Sequence, residues 1–322
     1  MTPQTAGMLS RKVARVLKGA LLLAAPGAVG AGCGCPTEVR VKVAANDNAK
    51  ATLAQQGAGT PLEDGDCMMA CPPGVVSCWV GLDSDGNAEV NCAYPGPPMA
   101  CLPVEGRRPQ GLEAFFPRAQ DAQEYWRKAL TMEAASVESF IRLARELEFH
   151  GAPPSLVRAA RRAARDEQRH AAWCLSHLPA GTTPTVTAPP GAHQPLRPLL
   201  DVALENVREG CVHETFSAVV SGAQAQRGPA ELQDGLARLA AEEHQHACLA
   251  WRVHAWAMEH LDETQRAAVT AEMARGSADL WAGLQGVVPG DIQALGMPDA
   301  SLLHTLAHAL DAQLWSQTAA AS

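Results

Sequence analysis

The chain has 322 residues, of which 47% are hydrophobic. This is enough to bury the core of one sizeable domain with a smaller appendage, and it excludes a disordered chain. Aromatic residues make up only 4%, while Ala and Leu are abundant, which favours packed helices over sheet. The net charge of -8, with a pI near 5.8, gives no electrostatic reason to expect nucleic-acid binding.

Residues 1–32 have the layout of a secretory signal peptide. Basic residues precede an apolar stretch from Gly19 to Gly32, which is too short to span a bilayer comfortably. The segment that ends at Cys33 resembles the bacterial lipoprotein cleavage box, in which the cysteine is lipidated, although Gly30 stands where a bulky aliphatic residue is usual. We therefore expect export to the periplasm or cell envelope, and contact with the membrane only through a lipid anchor at Cys33.

Residues 33–110 are predicted to form a small Cys-rich module of irregular and β structure. If Cys33 carries the lipid, six cysteines remain here, an even number that could form three disulfides. Since no Cys-x2-Cys pair occurs and an exported chain meets an oxidising environment, disulfides are favoured over a zinc site. The six are Cys35, Cys67, Cys71, Cys78, Cys92 and Cys101.

A β-hairpin is predicted inside this module. The segments Val75–Leu82 and Ala88–Tyr94 flank a turn at residues 83–86, and residues 39–43 alternate as a further strand would. Such a hairpin sets Cys78 opposite Cys92, so a cross-strand bridge between these two cysteines is plausible.

From about Asp121 the hydrophobic pattern becomes helical. Breakers divide the region into four long helices, which predicts a four-helix bundle over residues 121–260 with a long link in its middle. A C-terminal helical extension, residues 261–322, is expected to cover it. The breakers are Gly151-Ala152-Pro153-Pro154, the link Pro179–Pro195, and Arg227-Gly228-Pro229.

Two Glu-x-x-His motifs reveal an internal repeat. Glu167 and His170 in the first lie 76 residues before Glu243 and His246 in the second (243 − 167 and 246 − 170). The same offset relates three further pairs in the helices upstream. These pairs are Glu133 and Glu209, Glu138 and Glu214, and Phe140 and Phe216.

The repeat predicts a site for two metal ions. On a helix, Glu and His at i and i+3 lie side by side on one face, and acidic residues here occupy positions where the apolar stripe requires a hydrophobic residue. Buried, unpaired carboxylates are costly, and two divalent cations would neutralise four of them while two neutral imidazoles complete the ligand set. Iron and manganese use the same ligands, so the sequence does not separate them.

Which carboxylate of each upstream helix points inward depends on the helical period. Residues five apart differ by about 140° around an α-helix, so Glu133 and Glu138 cannot both face the metals. Because Glu133 and Glu209 fall on the apolar stripes, we favour them over Glu138 and Glu214, which remain the alternative. Glu205 lies on the same apolar stripe as Glu209. It could serve as a spare ligand or as a hydrogen-bond partner for a His ring. The predicted ligands are Glu133, Glu167, His170, Glu209, Glu243 and His246, with Glu167 and Glu243 bridging.

These residues resemble the ferritin-like superfamily of di-iron carboxylate proteins. The resemblance covers about Asp121 to His260 and includes exported bacterial members with a Cys-rich front end; it rests on the segments 133–137, 151–153, 166–170, 209–212 and 243–247. It implies a ferritin-like four-helix bundle that binds two irons and reacts with dioxygen or peroxide. The chain departs from rubrerythrin in lacking a Cys-x2-Cys module, which puts that family's route of electron delivery in doubt, and its extra helices argue against a storage cage.

Two functions from different classes follow. The first is an exported di-iron oxidoreductase of the oxidase or ferroxidase type, which uses dioxygen or peroxide and a reductant that the sequence does not identify. The second is a non-catalytic structural or metal-binding envelope lipoprotein. Oxygen consumption on addition of ferrous iron separates the two.

Overall fold

The computed structural model describes residues 12–19, 38–71, 77–83, 86–95, 107–108, 119–184, 190–284 and 288–316. The chain divides into two compact units, residues 34–99 and residues 1–33 with 100–322. Residues 12–19 form a helix, α1. The rest of the predicted signal peptide, the predicted lipidation site Cys33, and Cys35 and Cys101 lie outside the described residues.

The smaller unit contains the predicted hairpin within a three-stranded antiparallel sheet of order β1-β3-β2. Strands β2 and β3 pair in the expected register, with Cys78 directly opposite Cys92. The helix α2 is capped by Asn46, whose side chain accepts from the backbone N of Ala49 (2.9 Å). The elements are β1 (Glu38–Ala44), α2 (Asp47–Gln56), α3 (Asp64–Ala70), β2 (Ser77–Leu82) and β3 (Ala88–Pro95).

The suggested bridge between Cys78 and Cys92 is wrong, although the register that motivated it is right. Cys78 bonds Cys67, and Cys92 bonds Cys71. Cys67 lies in α3 and Cys71 is its C-cap, four residues on, so both cysteines project from one face toward the sheet. Two neighbouring disulfides therefore attach α3 to β2 and β3.

The larger unit is mostly helical, as expected, and its breakers act where predicted. Asp121 caps the first long helix by accepting from the backbone N of Glu124 (2.8 Å), and Gly151, with a φ of 72°, ends it. The elements are α4 (Ala122–Phe149), α5 (Pro154–Ser176), α6 (Leu199–Glu205), π1 (Asn206–Glu214), α7 (Thr215–Arg227), α8 (Gln233–His260), α9 (Glu263–Gly283), α10 (Gly290–Gln293), α11 (Ala300–Leu310) and π2 (Asp311–Trp315).

Four of these elements meet around one core. α4 packs along α5, α7 packs along α8, and α5 contacts α8, while π1 lies between α8 and α9. The predicted third helix is therefore the continuous run α6, π1 and α7. Phe140, Phe216 and Trp251 are fully buried in this core, and Val16 and Leu17 of α1 belong to the same cluster.

The link before α6 crosses α4 at close range. Its short 3₁₀ turn, Gly191–His193, packs on α4, and a Cβ added at Gly191 would lie 2.1 Å from the carbonyl oxygen of Glu138. The Gly191 backbone N donates to the Glu138 carboxylate (2.7 Å). Glu138 therefore anchors the link.

Candidate metal centre

The two Glu-x-x-His motifs face each other across α5 and α8, with the His170 and His246 ring centroids 5.9 Å apart. The carboxylates of Glu167 and Glu243 are buried between the two rings. This is the arrangement that the 76-residue repeat predicts for two packed hairpins.

Two overlapping groups of side chains could each hold a metal ion, with ligand atoms within 4.8 Å of one another. In the first group, His170 Nδ1 lies 3.2 Å from Glu243 Oε1 and 3.4 Å from Glu133 Oε2. In the second, His246 Nδ1 lies 3.1 Å from Glu167 Oε1. The first group is Glu133, Glu167, His170 and Glu243, and the second is Glu167, Glu214, Glu243 and His246.

Glu167 and Glu243 belong to both groups, which is the geometry expected of a bridging pair. Glu133 completes the first group, in agreement with the residue favoured from the sequence. The structure thus brings together five of the six predicted ligands.

The sixth, Glu209, lies outside both groups, where the geometry favours the alternative Glu214. Its Oε2 accepts from the backbone N of Arg108 (3.4 Å) and from its Nε (3.3 Å), while Glu214 takes the place in the second group. The sequence argument assumed α-helical periodicity, but Glu209 and Glu214 lie in π1, where bonds run from i to i+5 and the facing residues change. The first half of the repeat thus contributes Glu133, whereas the second half contributes Glu214, which is the counterpart of Glu138.

Most of the inward-facing atoms of the centre lack a hydrogen bond, although all of them are buried. Such atoms are rare in folded proteins, because a buried polar group without a partner costs about 1–3 kcal/mol. Oxygen and imidazole nitrogen that converge without hydrogen bonds could hold divalent metal ions. The atoms are Glu133 Oε2, both carboxylate oxygens of Glu167, Glu214 and Glu243, and Nδ1 of His170 and His246.

The carboxyl groups of the centre have pKa values shifted in opposite directions. Burial, and then the charges of Glu167 and Glu243 respectively, raise the pKa values of Glu133 and Glu214 well above the usual range. Burial also opposes ionisation of Glu167, but the proximity of Glu133 and of the two imidazoles outweighs it and lowers its pKa. Without metal the cluster therefore retains protons, and cations compete with them for the same atoms.

The two imidazoles carry protons more readily than usual. Burial alone would lower the pKa of His170 and of His246, yet the surrounding carboxylates raise both values above the ordinary 6.5. Binding a metal at Nδ1 would displace this proton, so metal affinity falls as the pH is lowered.

Two carboxylates that the sequence analysis missed hold the outer nitrogens of these rings. His170 Nε2 donates to Glu242 (2.8 Å), and His246 Nε2 lies 3.3 Å from Asp166. Because an ionised carboxylate only accepts, each Nε2 carries the proton and Nδ1 faces the centre. The repeat itself contains the signal, since Asp166 and Glu242 are also 76 residues apart (242 − 166) and each precedes a Glu-x-x-His motif.

Arg169 joins this outer pair. Its Nη2 donates to Asp166 Oδ1 (2.5 Å) and to Glu242 Oε1 (2.7 Å), so one guanidinium links α5 to α8 beside the centre. Hydrogen bonds to His246 and Arg169 outweigh burial and lower the pKa of Asp166, which keeps this carboxylate ionised.

Glu205, considered as a spare ligand, is engaged elsewhere. It pairs with Arg197 (2.6 Å) and with the buried Arg107 (3.4 Å), and Arg197 also binds Glu146 of α4 (2.8 Å). The ion pairs lower the pKa of Glu205 against the effect of burial. This network fixes the link and α6 to α4.

A pocket adjoins the centre. It lies between α4, α5, α7 and α8, and Glu133 and Glu243 form part of its wall. Small side chains such as Ala129 and Ser221 leave the space, and the Gln224 amide donates to the Tyr125 hydroxyl (3.0 Å) at its side. No cationic side chain lines it among the described residues, which disfavours a bulky anion as its occupant.

No protein-family model matches this chain, and neither a curated protein nor a solved structure is significantly similar to it. Within the part of the chain that the structure describes, no helix combines the length and apolar character required of a membrane span.

Proposed function

We propose that this protein is an exported, ferritin-like four-helix bundle protein that holds two divalent metal ions, iron in the first place, and reacts with dioxygen or peroxide. The observation that carries the proposal is the set of buried, converging oxygen and nitrogen atoms without hydrogen bonds. Charge supports it, because four glutamates and two neutral imidazoles balance two divalent cations.

The residues of the proposed centre have different roles. Glu133 and His170 would hold one ion, Glu214 and His246 the other, and Glu167 with Glu243 would bridge both. A pair of iron ions supplies electrons for the reduction of dioxygen or peroxide. Burial of all six side chains excludes water from the centre, and Asp166 and Glu242 keep each Nδ1 turned inward.

The pocket offers a route for the oxidant. It reaches Glu133 and Glu243, and its walls offer hydroxyl and amide groups of Tyr125, Ser221 and Gln224 to a small neutral molecule. Export is supported by the two disulfides of the smaller unit, because such bonds persist in oxidising compartments.

Metal analysis tests the proposal. The purified protein, reconstituted anaerobically with ferrous iron, is expected to hold about two irons per chain, by the count of ligand groups, whereas the Glu167→Ala/Glu243→Ala variant loses both. Glu231→Ala/Glu272→Ala, which removes two carboxylates outside the centre, is the matched control and retains them. Oxygen uptake on adding ferrous iron then measures the reaction.

Retention of two irons in the Glu167→Ala/Glu243→Ala variant would refute the site. Two firmly bound irons with no oxygen or peroxide consumption would instead assign the centre a structural or metal-holding role.

A further inference from the structure

The segment Arg107-Arg108 is inserted between α4 and π1. Arg107 is fully buried, and Ser136 of α4 donates to its carbonyl oxygen (3.2 Å). Its guanidinium donates to the side chain of Asn206 at the start of π1 (3.1 Å). These contacts on both sides fix the position of the next residue, Arg108, beside the middle of π1.

Arg108 binds the carboxylate that the repeat relates to Glu133. The Glu209 side chain is almost entirely buried and accepts from both the backbone N and Nε of Arg108. Glu214 has neither oxygen hydrogen-bonded. Glu209 is thus neutralised by the guanidinium of Arg108, whereas Glu214 belongs to the second metal-binding group.

We propose that Arg108 holds Glu209 out of the metal centre and thereby makes Glu214 the ligand that π1 supplies. This inference rests on the proposed metal-binding function. Glu209 and Glu214 are five residues apart, the spacing that a π-helix bond connects, so they lie on successive turns. Without Arg108, Glu209 would be a buried carboxylate with no ion pair to another of the described residues, and a metal ion at the centre would neutralise it.

Glu209 is therefore a reserve ligand. Its counterpart Glu133 already occupies the ligand position in the first half, which shows that this repeat position is compatible with such a role. Arg108 is a positioning residue, since it acts on the choice of ligand and belongs to neither metal-binding group.

The test is a rescue experiment with ferrous iron as the probe, read as irons per chain and as the affinity of the weaker iron. Glu214→Gln is expected to weaken that iron at least tenfold. Adding Arg108→Met to Glu214→Gln should restore the affinity for that iron, because Glu209 is then released. Adding Glu209→Gln to this double variant should abolish the restoration. Arg208→Met is the matched control, because it likewise removes a guanidinium next to Glu209 in the sequence, but Arg208 lies on π1 itself and pairs with Glu272 and Asp279 of α9.

Failure of this inference is distinguishable from failure of the proposed function. If the wild-type protein binds no iron, the function itself is wrong. If the wild type binds two irons and Arg108→Met gives no rescue in a variant that circular dichroism shows to be folded, the role of Arg108 is refuted.

Glu209→Gln alone provides a second measurement that does not depend on how Arg108→Met folds. With Arg108 in place, this variant should hold both irons with wild-type affinity. Loss of one iron from the folded Glu209→Gln protein would make Glu209 an ordinary ligand and overturn the proposal.

Discussion

Single carboxylates one residue before each Glu-x-x-His motif orient the imidazoles of the centre. Asp166 holds His246 and Glu242 holds His170, so each half of the repeat positions the histidine of the other half. The hydrogen bond fixes the tautomer and makes the ring a better metal ligand. The geometry of the proposed ligands therefore depends on residues that belong to neither metal-binding group.

Asp166→Asn tests this dependence. The amide keeps the shape of the side chain but loses the negative charge that fixes the Nε2 proton of His246, so we expect the iron affinity of the second group to fall about 10–100-fold. Calorimetric titration under anaerobic conditions measures the change. Asp234→Asn, on the exposed surface of α8, is the control and should bind as the wild type does.

At the residue level, the sequence was sufficient to identify five of the clustered side chains because each lies in a regular α-helix, where spacing translates directly into a face. It was insufficient for Glu205, which pairs with Arg107 from a distant segment and with Arg197 from the link just before α6. An apolar stripe identifies a buried carboxylate but does not indicate whether a metal or a guanidinium neutralises it.

Among the elements, π1 has the largest effect on the site. Its nine residues interrupt a run that is otherwise α-helical, and they carry both Glu209 and Glu214. Gly210, between them, lets π1 approach α8 closely, since an added Cβ would lie 2.6 Å from the Cβ of Ala250. The altered helix type thus coincides with a point of tight packing.

Gly210→Ala should accordingly destabilise the protein. The added methyl group must push π1 from α8, which by analogy with other overpacked cores lowers the free energy of unfolding by about 1–3 kcal/mol. Chemical unfolding followed by circular dichroism measures it. The control is Gly276→Ala on α9, where the nearest atom would be 3.6 Å away, and we expect no loss there because alanine favours helix over glycine.

The four long helices and their breakers were predictable, since hydrophobic period, Pro and Gly each act locally. The π-helix was not, because its alternative bonding is stabilised by contacts with α8 and α9 that no local pattern records. This difference in helix type is one reason why Glu214, and not Glu209, lies in the second group. Likewise, strand register placed Cys78 opposite Cys92, but the position of α3 decided their disulfide partners.

For the molecule as a whole, the pocket beside the centre arises only when α4, α5, α7 and α8 are assembled. Each helix contributes a few side chains of mixed size and polarity, and none of them marks a cavity in the sequence. The proposed reaction needs such a route, because the ligands themselves are buried.

Filling the pocket should separate metal binding from reactivity. Ala129→Leu places extra bulk against the space next to Glu133, so we expect two irons to bind while the rate of reaction with dioxygen or peroxide falls at least tenfold. Stopped-flow oxidation of the iron-loaded protein measures the rate. Ala134→Leu, on the same helix but outside the pocket lining, is the control; equal rates in the two variants would contradict this route.

Arg169 gives the buried centre a sensitivity to ionic strength. Its side chain is 51% exposed, yet it binds both carboxylates that orient the imidazoles. Dissolved salt screens an exposed guanidinium far more than it screens groups in the core. The electrolyte around the protein can therefore weaken the restraint on His170 and His246 without any ion entering the site.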